Sequence, residues 1–65
     1  MKYKYYKVIQ QNYSAYYGWE DVDFYEINST GTFKDKQTRN DYLTALINYK
    51  LLGLTRTIIR RELNK

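Results

Sequence analysis

The sequence predicts an α+β fold. Its expected order is β-β-α-β, a three-stranded antiparallel sheet in the order 2-1-3 with one helix packed on one face. Three observations predict this. Only the stretch from about Arg39 to Leu52 places apolar residues at the helical period. Segments 3–12, 20–28 and 55–63 are instead rich in aromatic and β-branched residues without that period. Turn-forming stretches around Gly18, Gly31 and Gly53 separate the four. With 65 residues, the chain is expected to form one small domain, residues 1–65, that buries only about 60% of its unfolded surface.

Segment 3–12 sends Tyr6 and Val8 to one side and Tyr5, Lys7 and Ile9 to the other. Apolar groups on both sides suit a central strand. Residues 13–19 form a short connection in which Gly18 permits positive φ, so a hairpin is expected. Its rings, Tyr13, Tyr16, Tyr17 and Trp19, have two readings. They fold back over the sheet to enlarge a small core, or they form an exposed aromatic contact site. Segment 20–28 places Val22 and Phe24 on one face with Glu20 and Glu26. Asp21, Asp23, Tyr25 and Ile27 take the other. Val22 and Phe24 are expected to meet the helix, and the acids suit an edge strand that must resist wrong pairing.

Residues 29–37 form a loop centred on Gly31, with Phe33 expected to pack near the helix start. Thr38 is expected to cap that helix, with Asp41 as a short relative of the capping-box residue. Gly53 is expected to end it in the left-handed conformation. Tyr42, Leu43, Ala45, Leu46, Ile47, Tyr49 and Leu52 cover over half of the helical wheel, leaving Asp41, Thr44 and Asn48 for water. In segment 55–63, Thr57, Ile59 and Leu63 alternate with Arg56, Ile58 and Arg60. The hairpin and the crossover together put strand one in the middle.

Composition narrows the chemistry. There is no Cys and no His, which removes disulfides, thiolate metal sites and the commonest catalytic base. No phosphate loop or nucleophile elbow is present, and no cofactor or metal is expected. The one carboxylate cluster is Glu20, Asp21, Asp23 and Glu26. Strand alternation makes Asp21 and Asp23 neighbours on one side, where a pair could do acid–base work or hold a hard cation. A chain this short has little room for an enclosed pocket, so these acids read as a solvated edge pairing with Lys and Arg. The chain is therefore not expected to be an enzyme.

The net charge of +4 is segregated. Residues 1–19 carry Lys2, Lys4 and Lys7 and no acid, residues 20–26 carry the four acids, and the rest is basic again. Strand one beside strand three would bring Lys2, Lys4 and Lys7 near Arg56, Arg60 and Arg61. A basic band with Tyr rings between its charges could hold phosphates and stack bases. The acidic second strand opposes that use, and no RNA-recognition, KH or helix-turn-helix signature accompanies it. The alternative is protein contact. The uncovered sheet face is expected to show Tyr3, Tyr5 or Tyr25 with Ile9 and Ile27, and the nine Tyr of the chain suit an interface. A homodimer would also relieve the shortage of core. Lys2, Lys4 and Lys7 are followed by only Val8 and Ile9, too little for a secretory leader. No apolar run approaches the roughly 20 residues of a membrane span. A soluble cytoplasmic protein is the expectation, in which the Asn28-Ser29-Thr30 sequon has no use.

Two stretches carry a resemblance. One is Tyr6-Lys7-Val8-Ile9-Gln10-Gln11-Asn12-Tyr13 with Gly18-Trp19-Glu20-Asp21-Val22 and Tyr25-Glu26. The other is Tyr49-Lys50-Leu51-Leu52-Gly53 with Thr55-Arg56 and Ile58-Ile59-Arg60-Arg61. Together they resemble short proteins encoded by phages and prophages of low-GC Gram-positive bacteria. The resemblance implies an accessory protein in the cytoplasm of a bacterial host and transfers no catalytic residues. The function expected is a non-enzymatic module that binds a protein partner, or itself, through a Tyr-rich sheet face and loop. Its contact candidates are Tyr5, Tyr16, Tyr17, Trp19 and Tyr25. The alternative is a small basic nucleic-acid binder using Lys2, Lys4, Lys7, Arg56, Arg60 and Arg61.

Overall fold

The computed structural model describes residues 2–14 and 18–64. Its elements are β1 (Lys2–Ser14), β2 (Gly18–Ile27), α1 (Lys36–Leu52) and β3 (Thr55–Asn64). The strands form an antiparallel sheet in the order β2-β1-β3, as the sequence predicts. Gly18 takes φ 66°, the positive value expected of it. The expected contact candidates Tyr16 and Tyr17 lie outside the described residues.

The helix starts earlier than expected. Asp35, not Thr38, is the cap, and its side chain accepts from the Thr38 backbone N–H at 2.7 Å. Asp is the stronger capping residue of the two. Asp41 sits inside the helix and accepts from Gln37 at 2.8 Å. Gly53 is extended rather than left-handed (φ 172°, ψ −169°) and closes the last turn through its N–H to the Tyr49 carbonyl.

Tyr42, the buried residue of α1, fixes the helix to the sheet. Its ring meets Tyr25 of β2 edge-on at 5.8 Å and Phe33 at 5.1 Å. Its hydroxyl hydrogen-bonds Thr57 of β3 at 2.9 Å. The Lys7 ammonium of β1 lies 5.3 Å from the ring centre. Phe33 therefore packs at the helix start as expected, and it also bridges Ile27 on the outer side of β2. One helical stripe is covered: Thr38, Tyr42, Ala45, Leu46 and Tyr49. Leu43, Ile47 and Leu52, expected to be covered with them, are exposed. A cylinder on a nearly flat sheet covers only the stripe that faces it.

The helix covers the other side of the sheet from the one expected, that of Tyr3, Tyr5, Lys7 and Ile9, which exchanges the faces of both β1 and β2. The β1–β2 register runs Ile9↔Asp23 and then Gln10↔Asp21, so Val22 is an extra residue, a β-bulge. Tyr25 and Ile27 turn toward the helix, with Ile27 buried, whereas Phe24 is 65% exposed on the opposite face. Ile9, expected on the open face, has no exposure. It sits between Lys7, which meets the Tyr42 ring, and Gln11, which donates to the Tyr49 carbonyl at 2.7 Å.

Burial assigns the energetics. Replacing Ile9 by Ala is expected to cost roughly 2–5 kcal/mol, as for other fully buried aliphatic residues. Asp35→Ala, which removes the cap, should cost about 0.5–2 kcal/mol. Urea unfolding followed by far-ultraviolet circular dichroism checks both, with Leu51→Ala, at 81% exposure, as the near-neutral control.

Candidate functional site

The uncovered sheet face is a polar network with two aromatic ends. Even-numbered residues of β1 point here, and the bulge brings Asp21 and Trp19 onto the same face through Gln10↔Asp21 and Asn12↔Trp19. Gln10 is buried. Its amide donates to Asp21 at 2.7 Å and its carbonyl accepts from Arg56 Nε at 2.8 Å. Arg60 closes a fork on Asp21, with its second nitrogen at 3.3 Å. The Arg56 guanidinium stacks 4.3 Å from the Trp19 ring. At the other end Tyr6 meets Phe24 edge-on at 5.6 Å.

This geometry redistributes the expected site residues. Asp21 and Asp23 are not neighbours, because the bulge at Val22 sends them to opposite faces. Asp23 lies on the helix side, where it accepts from the Tyr25 hydroxyl at 2.9 Å. Tyr25 packs under the helix, not on the open face. Tyr5 pairs across the sheet with Ile27 and Arg61 and is half-buried. Trp19 does reach the open face, under Arg56.

The basic residues do not form one band. Lys7 and Arg61 are on the helix side, Lys7 against Phe33 and Tyr42 and Arg61 stacked 4.2 Å from Tyr3. Arg56 and Arg60 are on the open face, engaged by Gln10, Trp19 and Asp21. Lys2 and Lys4 are exposed on that same open face, so four of the six expected basic residues share it. Lys4 pairs across the sheet with Glu62 and lies within electrostatic reach of Glu26.

Sequence reasoning missed a second surface. In a right-handed crossover from β2 through α1 to β3, the residue after Tyr42, Leu43, lies on the β3 side of the helix and Asp41 on the β2 side, within electrostatic reach of Tyr25. Ile47 follows one turn later and Leu54 continues past the helix end. All three are exposed, as are Ile59 and Leu63 of β3. Ile59 pairs with Lys7, and Leu63 with Tyr3, which puts both on the helix side of the sheet. The signal was present in the sequence, since an apolar arc wider than one contact stripe must leave part of itself outside.

Charges on the open face and near the loop are held by their partners. Hydrogen bonds from Arg60 and then Gln10 hold the Asp21 carboxyl below its ordinary value. Lys34 does the same for Glu26, and the Thr38 N–H does so for Asp35. Each favours the ionised form in the fold, so its contribution is present at neutral pH and fades as pH falls through the lowered value.

Among the described residues no group of three or more acids is placed to hold a metal ion, and no helix is long and apolar enough to cross a membrane. Comparison with protein families, with curated proteins and with solved structures finds no match to the chain.

Burial and the Asp23 carboxylate push the Tyr25 hydroxyl from 10 up to about 12. The neutral phenol is the form that the fold favours. Its contribution is complete below pH 10 and lost as pH rises toward 12. Tyr25→Phe should therefore flatten the loss of stability over that interval, measured as urea midpoints from pH 9 to pH 12. An unchanged slope in the variant would assign the alkaline loss to another group.

Proposed function

We propose that the chain is a non-enzymatic protein-contact module whose contact surface is the apolar flank between α1 and the outer edge of β3. The supporting observation is the balance of buried and exposed apolar side chains. The described core consists of Val8, Ile9, Ile27 and Tyr42. More large apolar side chains than these are exposed, and most of them lie on α1, just after it, or on β3. Exposed large apolar side chains in that number on a small domain mark a contact surface.

The open sheet face supports the reading in a different way. Its charges already satisfy one another through Asp21, Gln10, Arg56 and Arg60, and the carboxylates that might have worked as a pair are on opposite faces. The basic residues are divided between faces, which weakens the case for a nucleic-acid track. The resemblance to phage and prophage proteins fits a role exercised by contact in the cytoplasm of a bacterial host.

The reading is tested by placing a photoreactive phenylalanine analogue at Ile47 or at Asn48 in the producing cell. Position 47 lies on the side of α1 that carries Leu43, whereas position 48 lies on the opposite side, that of Asp41. Ultraviolet irradiation should give protein adducts at position 47 at least several-fold above position 48. Equal yields, or none at either position, would contradict the assignment.

A further inference from the structure

We infer that the partner on this flank is a second copy of the chain, joined by antiparallel pairing of β3 with β3 across a two-fold axis at Ile59. The inference rests on the contact reading above and names its occupant.

The two edges of the sheet are unlike. The outer edge of β2 is interrupted, bulged at Val22 and occupied at Ile27 by the bridge to Phe33. The outer edge of β3 has no such device. β3 pairs with β1 over an unbroken run from Lys2↔Asn64 to Gln11↔Thr55, so its other side is straight along the whole strand. It contains no proline. A long regular edge is a template for another strand; its charges, Arg56, Arg60, Arg61 and Glu62, restrict the strand and register it accepts, and a strand from the same chain gives a closed two-fold pair.

Charge selects the register. Antiparallel partners share a face, so a two-fold axis must pass through one residue position. An axis at Ile58 sets Arg56 against Arg60, and axes at Arg60 or Arg61 set each arginine against itself. Like charges directly opposite destabilise a sheet. An axis at Thr57 avoids this but pairs only residues 55–59. An axis at Ile59 pairs residues 55–63, opposes no like charges and sets Arg56 against Glu62 at both ends. Ile59 meets its own copy at the centre.

The same register covers the flank. Such a pair continues the sheet and puts both helices on one side. α1 lies above β1, held there by the Tyr42 contacts. The two β1 strands are then three strand spacings apart, about 14 Å. Helical surfaces reach about 5–6 Å from their axes, so the helices wall a narrow groove. Leu43 of both copies lines it, with Arg39 and Lys50 on the same side toward its ends and Ile47 at its outer rim, and the Ile59 pair, 59% exposed in the single chain, forms its floor.

The chain has no cysteine, so single substitutions report the register directly. Thr57→Cys, Ile59→Cys and Arg61→Cys are oxidised mildly and analysed without reductant, alongside sedimentation equilibrium of the unmodified chain. The expected result is dimer mass for the unmodified chain and disulfide formation by Ile59→Cys at least ten times faster than by the other two. Opposed positions at 59 lie within disulfide reach, whereas those at 57 or 61 are offset by about 13 Å. Fastest cross-linking at 57 or 61, or a monomer at millimolar concentration, would overturn the inference. A monomer that still gives adducts with another protein from position 47 would remove the self-pairing and leave the contact module. A monomer without such adducts would remove both.

Discussion

Tyr42 holds this structure together. One side chain reaches all three strands: the Lys7 ammonium over its ring, Tyr25 against its edge, and Thr57 at its hydroxyl. Phe33 extends the cluster into the loop before the helix. A tyrosine suits this position because its ring supplies apolar area while its hydroxyl finds a partner under the helix. A second anchor sits near the helix end, where Tyr49 donates to the Val22 carbonyl at 3.2 Å and accepts from Gln11 through its own carbonyl. Between the two anchors, Ala45 and Leu46 fill the short gap to the sheet. This is a narrow contact for a helix running from Lys36 to Leu52, and the exposure of Leu43 and Ile47 follows from it.

The element order was legible because the chain punctuates itself. Gly18, the loop around Gly31, and Gly53 separate segments of different periodicity, and the 2-1-3 order follows from short connections. The start of the helix was legible in principle, since Asp35 is a better cap than Thr38 and stands three residues before it. The bulge at Val22 was not. A valine with ordinary neighbours carries no mark of an extra residue in the ladder, and no glycine or proline announces it. That one residue separated Asp21 from Asp23 and carried Trp19 to the side where Arg56 stacks on it. The faces of Phe24, Tyr25 and Ile27 depend instead on which side of β1 the helix covers, and it covers the side of Lys7 and Ile9. The polar network of the open face depends on cross-strand pairs, Gln10 with Asp21 and Arg56, that no local pattern encodes.

The apolar surplus has the same origin as the narrow contact. A three-stranded sheet offers one helix a strip of cover, and the sequence supplies a wider arc of apolar residues than the strip can take. On β3 the surplus continues through Ile59 and Leu63, beside an edge whose hydrogen-bonding groups point outward. The β2 edge, by contrast, carries acids, a bulge and a bridging loop. Stability and contact are then one question, because the surface that would complete the core lies at the boundary of the chain.

The central claim is that this surface is covered by a second copy of the chain and that covering it stabilises the fold. Its most direct measurement is the thermal midpoint of the unmodified chain over a hundredfold range of protein concentration. Binding that involves only the folded form stabilises it by up to about 2.7 kcal/mol at a hundredfold excess over the dissociation constant. For a chain of this size 1 kcal/mol corresponds to roughly 4–8 °C. The account predicts a midpoint that climbs by several degrees as concentration rises. A midpoint constant across the range would contradict it.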